Sequence, residues 1–243
     1  GQRCDEWQLV PTIDRLIQNK KLSTEKYYKF RNKHLENFKF SVRGRRGENP
    51  PPINDENDWW ALGQHHGLAT PLLDWTKSPF VAAFFAFIEV DDPQTENRAI
   101  FALHQSVAEW AHEKCTKENV WRLNQRIEYK KKGRPIGLLN VINHNAEPEL
   151  IFIRPFSDEN QRLINQGGLF TRSMTNESIE SWVSNHHPSD DNGMTLIKFL
   201  IPDKEREKCL RSLNRMNINP LSLFPDVSGA SEYCNLHSEI ENY

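Results

Sequence analysis

The run Phe80-Val81-Ala82-Ala83-Phe84-Phe85-Ala86-Phe87-Ile88 carries no polar side chain. A helix built from it is apolar on every side, and such a helix is stable only when other elements cover it all round. Ser78 suits an N-cap and Pro79 suits the first helical position, so a helix from Pro79 to Glu89 is expected. The run is too short for the ~18 residues of a membrane span. The rest of the chain must therefore fold around it.

The 243 residues suffice to do so as one domain, and residues 1–243 are read as such, with loops at Arg43 to Asn57 and Asp91 to Asn97. Seven Trp and thirteen Phe supply apolar surface that a disordered chain would lack. A net charge of −2 gives no global drive towards nucleic acid or membrane. Cys4, Cys115, Cys209 and Cys234 are scattered without a C-x-x-C, which reads as reduced packing thiols in a cytoplasmic protein and as no metal site. No segment reads as a signal peptide, and a start at Gly1 is what a cut or renumbered chain would show.

Immediately before the apolar run stands a dense polar stretch, Gln64 to Ser78. Asp58 is expected to cap a short helix from Trp59 to His66, and Gly67 to end it in the left-handed region. Leu72-Leu73 reads as a buried strand. Asp74 to Lys77 then becomes the loop leading to a helix N-terminus, a place that suits an anion or phosphate. Elsewhere, Leu22 to Phe40 has helical spacing behind Ser23. Ala99 to His104, Leu150 to Ile153, Leu169 to Arg172 and Thr195 to Ile201 read as strands, the last as a buried one. Helices are expected over Val107 to Lys132, Glu159 to Asn165, Glu177 to Asn185, from Asp203 as cap to Met216, and from Ser228 as cap to about Leu236. Strands and helices mix without a β-α-β rhythm. The fold class is α+β, a single compact domain with a mixed, twisted sheet flanked by helices.

Each polar residue of the stretch has a structural use of its own. His65 and His66 can satisfy carbonyls at a helix end, Asp74 can hold a loop, and Thr76 and Ser78 can cap. Their density within fifteen positions is what points to a binding loop. Glu147 and Glu149 stand two apart before a strand, so both can face one cleft, or both can be solvated. Arg162, Gln166, Gly167, Gly168 and Phe170 form a further cluster that a helix-to-strand turn also explains. The basic runs at Arg43 to Arg46 and Lys130 to Arg134 read as solvated loop ends. No phosphate loop, dinucleotide fingerprint, zincin motif or nucleophile elbow is present.

The stretch Gln64-His65-His66-Gly67-Leu68-Ala69-Thr70-Pro71-Leu72-Leu73-Asp74-Trp75-Thr76 closely resembles the signature of the FRG domain family, Q-H-x-G-L-P-T-R-L-L-D-W-T, with Ala69 and Pro71 in place of the usual Pro and Arg. Gly1-Gln2-Arg3 is similar to the end of the F-R-G-Q motif. Arg162, Gln166, Gly168 and Phe170 resemble the family's R-x-x-x-Q-x-G-x-F, and Leu223 to Gly229 its closing motif. The resemblance implies a bacterial or phage protein from a conflict, toxin or antiviral defence setting. A looser resemblance, to arginine-type ADP-ribosyltransferases, rests on the order of three elements: the FRG naming motif, of which this sequence holds the end from Gly1, in the place of an aromatic-Arg-Gly strand, then Thr76 and Ser78 before a helix, then Glu147-x-Glu149 before a strand. It implies NAD as substrate and no metal, with a protein or nucleic acid as acceptor and no membrane partner. Glu149 would stabilise the oxocarbenium-like sugar and Glu147 would position the acceptor. Gln64, His65, Asp74, Thr76, Ser78 and Gln166 would hold the nucleotide. The alternative implied by the family is a non-catalytic binding or sensor module that recognises a phage protein or nucleotide.

Overall fold

The computed structural model of the chain describes residues 1–20, 22–50, 52–90, 95–106, 150–154, 161–173, 177–186 and 195–243. In chain order these form α1 (Thr12–Ile17), α2 (Thr24–Ser41), α3 (Glu56–His65), β1 (Leu72–Thr76), α4 (Pro79–Phe87), β2 (Asn97–Leu103), β3 (Leu150–Ile153), α5 (Gln161–Asn165), β4 (Gly168–Ser173), α6 (Ile179–His186), β5 (Leu196–Pro202), α7 (Arg206–Arg215), α8 (Pro220–Leu223) and α9 (Val227–Glu239). The helix expected over Val107 to Lys132 lies outside the described residues, as do Glu147, Glu149 and Cys115. The architecture is α+β.

One expected feature of the sheet is corrected. The described strands form two antiparallel sheets instead of one mixed sheet: three strands in the order β1-β4-β3, and the pair β2-β5. Their partners are far apart in sequence, with Thr76 opposite Gly168, Asp74 opposite Phe170 and Leu103 opposite Leu196. The strand after Thr195 is also not the buried strand that its apolar composition implies. Phe199 and Leu200 stand 51% and 53% exposed; adjacent strand residues point to opposite faces, so neither face of β5 is fully covered there.

The apolar run forms α4, as its composition requires. Phe84 and Phe87 are fully buried against Leu210 and Leu213 of α7, Leu223 of α8 and Leu236 of α9. The Ser78 hydroxyl accepts from the Val81 amide at 3.3 Å, with Pro79 at the first position. At the other end, two buried arginines take over the carbonyls that a helix terminus leaves without partners. Arg98 donates to the carbonyls of Ala86 and Glu89 at 3.3 and 3.1 Å, and Arg206 to those of Phe87 and Ile88 at 2.9 and 3.0 Å. Asp203 and Glu239 balance their charges. Asp203 thus serves Arg98 at 2.5 Å and caps no helix.

Two other caps shift by a few residues. Asp55, not Asp58, caps α3 by accepting from the Asn57 amide at 2.6 Å. Asp226, not Ser228, caps α9 by accepting from Gly229 at 3.0 Å. Gly67 takes φ +80° just beyond α3, as the left-handed position there demands. A second core joins Ile13, Leu35, Trp60, Leu72 and Phe170, and a third joins Leu9, Phe101, Leu150, Ile179 and Trp182. Cys4, Cys209 and Cys234 are free thiols. Among the described residues no helix is long and apolar enough to cross a membrane.

Candidate functional site

Asp74, Trp75 and Thr76 belong to strand β1, not to a loop. The correction matters, because alternation along an extended chain puts Asp74 and Thr76 on one side and Trp75 on the other. On β4 the residues opposite are Phe170 and Gly168. All four line one cavity of about 430 Å³, together with Gln64 and His65 from the end of α3 and Arg162 and Gln166 from α5 and the turn after it. Phe85 of α4, Phe101 of β2 and Phe224 contribute further aromatic wall.

The polar groups are held in a defined order. The Gln64 amide donates to the Asp74 carboxylate at 2.7 Å, while the Thr70 hydroxyl donates to the Gln64 carbonyl oxygen. Thr70 is itself fixed by Thr12, whose hydroxyl accepts from the Thr70 amide at 2.9 Å and donates to the Thr70 carbonyl at 3.3 Å. Asp74 keeps an accessible face on the cavity while protein crowds the rest of the carboxylate. The loss of water there pushes its pKa above the ordinary carboxylate value of 3.8, against the pull of the Gln64 hydrogen bond. His65 packs edge-on to His66, with ring centroids 4.8 Å apart.

The opposite wall is built from the sequence cluster at 162–170 and the loop at 223–226. The Arg162 guanidinium lies 4.4 Å over the Phe224 ring. The Gln166 side chain donates to the Leu223 carbonyl at 3.2 Å, which ties α5 to α8. Arg162 also helps to hold the Asp226 carboxyl below its usual range, after the hydrogen bonds from Ser228 and Gly229.

Of the residues expected to hold a nucleotide, Gln64, His65, Asp74, Thr76 and Gln166 meet in this cavity, and Ser78 lies outside its lining. The Thr76 hydroxyl donates to the Gln166 carbonyl at 2.7 Å and accepts from the Ser78 amide at 3.0 Å, so it closes the turn between β1 and α4. Glu147 and Glu149 are outside the described residues. Leu150, the next residue in the chain, pairs with Ser173, whereas Thr76 pairs with Gly168 at the other end of β4. Five residues of strand separate those two positions, about 17 Å at ~3.4 Å each.

Phe85, Phe101 and Phe224 were not singled out by the sequence. A helix that is apolar on every side gives no periodicity from which to read that Phe85 faces a cavity, and Phe101 sits in an ordinary strand pattern. Phe224 did carry a signal, since it falls in the segment that resembles the FRG closing motif. Among the described residues no group of three or more His, Cys, Asp or Glu side chains could hold a metal ion.

The model of the FRG domain family matches residues 1–98. That stretch contains the whole Gln64 to Thr76 signature, while the 162–170 and 223–229 segments lie beyond it. No curated protein and no solved structure matches the chain.

Proposed function

We infer, with the FRG domain of residues 1–98 as the premise, that this protein binds a small molecule of the nucleotide class in the cavity beside β1. The observation that carries the reading is convergence. Gln64, Asp74 and Thr76 come from the FRG segment, Arg162 and Gln166 from a stretch some ninety residues later, and they surround one concavity. Its volume falls within the ~300–1,000 Å³ of small-molecule sites, and its wall mixes aromatic rings with polar and charged side chains. The Phe85 and Phe224 rings suit the flat face of a base or a nicotinamide. Arg162 suits a phosphate, and Asp74 accepts hydrogen bonds from ribose hydroxyls.

Binding without turnover, as in a sensor, is the form of this reading that the geometry favours. The Thr76 and Ser78 hydroxyls are taken up by the turn and the helix cap, and Leu150 starts its strand at the far end of β4 from Thr76. A sensor in a bacterial or phage conflict is the role that the FRG resemblance attaches to such a pocket. The transferase reading makes NAD the ligand and Glu149 and Glu147 the working carboxylates, with ADP-ribose passed to a protein or nucleic acid.

Calorimetric titration with NAD, ADP-ribose, AMP and ATP, alongside an assay of labelled NAD turnover, separates the readings. The expected result is binding of at least one of these ligands, weakened tenfold or more in Asp74→Asn and Arg162→Ala and unchanged in Glu149→Gln, without turnover. NAD consumption abolished by Glu149→Gln would establish the transferase reading instead. No binding of any of the four by the wild type would overturn the nucleotide assignment.

A further inference from the structure

Between Lys26 and Arg46 the sequence holds eight cations against one acid, Glu36, in a chain whose net charge is −2. Most of this segment is α2. Tyr27, Arg31 and Leu35 are buried on one side of the helix, where Arg31 donates to the Tyr27 hydroxyl and the Ser173 carbonyl at 3.3 Å each. Lys26, Lys29, Lys33, Glu36 and Phe40 recur at intervals of three and four residues on the opposite side, and all five are exposed. The row is about 21 Å long at ~1.5 Å per residue. It ends at the exposed cations Arg43 and Arg45.

Two aromatic rings interleave with these cations. Phe40 is 66% exposed, and the Arg43 guanidinium lies 4.3 Å from its ring centroid. Trp59 of α3 receives both Lys39 and Arg46, each 5.5 Å from its ring. A basic row alone is an ordinary solvated helix face. A phenyl ring at the end of such a row, with a guanidinium 4.3 Å from its centroid, adds a stacking surface to the charge.

We propose that the exposed face of α2, from Lys26 to the Phe40–Arg43 pair, is a binding surface for single-stranded nucleic acid. The lysines track successive phosphates, and an unpaired base stacks on Phe40. Charge complementarity selects a polyanion, and the exposed ring selects one with accessible base faces, which a duplex does not offer. A lipid surface fits less well, because an interfacial helix presents several large apolar side chains on one face, and on this face Phe40 stands alone among Lys and Glu. The inference is independent of the cavity beside β1.

Fluorescence anisotropy of the full chain with a labelled oligothymidylate about 12 nucleotides long tests it. With five exposed cations engaged, log K is expected to fall with log salt at a slope of about −3 to −4. The triple variant Lys26→Gln, Lys29→Gln, Lys33→Gln should bind at least tenfold more weakly and lower that slope by about 2. The corresponding triple arginine variant should keep the affinity. Phe40→Ala should lose about tenfold with the slope unchanged. Affinity that none of these exposed substitutions alters would overturn the proposal. So would no binding at about 50 mM salt, a preference for duplex DNA of the same length, or tighter binding to phosphatidylserine vesicles.

Discussion

Gln64 donates its side-chain amide to Asp74 at 2.7 Å, and the opposite end of the same amide accepts the Thr70 hydroxyl. Both ends being used, the amide cannot turn over without breaking two hydrogen bonds, and Asp74 is held as an acceptor at the cavity wall.

Asp74 is kept at a cost to stability that depends on pH. Its folded pKa is raised because surrounding protein takes water from part of the carboxylate, so the folded state binds more protons than the unfolded chain between the ordinary value of 3.8 and the folded value. Stability contributed by this group is therefore present at low pH and lost as pH rises through that window. Asp74→Asn should remove the dependence. The difference in unfolding free energy between variant and wild type, from urea titrations, should move in the variant's favour as pH rises from 3.8 and then level off, while ligand affinity falls.

Thr76 has a different signature, because its hydroxyl serves the turn. Thr76→Val removes the donor to Gln166 and the acceptor for Ser78, and should cost about 1–3 kcal/mol. Thr76→Ser keeps both hydrogen bonds and should cost less than half as much when the two variants are compared by thermal unfolding.

Arg206 should be among the most sensitive positions of the chain. Arg206→Met leaves the carbonyls of Phe87 and Ile88 and the carboxylate of Glu239 without this partner, and should destabilise by about 3 kcal/mol. Arg206→Lys should recover little of that loss, since one ammonium cannot span both carbonyls and the carboxylate. Urea midpoints of the two variants check the order.

At Gly229 a Cβ would stand 2.1 Å from the Phe224 carbonyl oxygen and 2.8 Å from that of Pro220. Gly229→Ala must push that loop outward, at a cost of about 1–3 kcal/mol. Phe224 should move with it, so affinity in the cavity should fall as well. Thermal shift of the variant with and without ligand reads both effects.

Local chemistry made much of this structure legible in the sequence. Ser78-Pro79 before nine apolar residues could only start a buried helix, and Gly67 could only end one. The composition of Leu150 to Ile153 gave that strand to the residue. Asp203 and Ser228 misled for one physical reason: a side chain beside a helix start is a cap only if no stronger partner reaches it or its neighbour. Arg98 claimed Asp203 from 105 positions away, and Asp226 did the capping for Ser228. Asp74 to Thr76 looked like a loop because their pairing with Phe170 and Gly168 lies nearly a hundred residues downstream. For the same reason the signature alone showed half of the cavity, and Phe85 and Phe101 stayed hidden in patterns that look purely structural.

The long-range strand pairing also bears on how much chain the FRG signature needs in order to stand. Within residues 1–98, β1 finds no strand to pair with among the described residues; its partner begins at Gly168, and β2 is completed only by a strand that starts at Leu196. The apolar helix between them is covered by residues past 205 and tied at its end by Arg206. A fragment cut after the family match would thus keep the Gln64 to Thr76 stretch and the Ile13, Leu35 and Trp60 side chains that pack on Leu72, and lose the strand that pairs β1 and the helices that bury α4. The matched stretch is a set of contacts waiting for a frame, and the frame is supplied by residues beyond position 98.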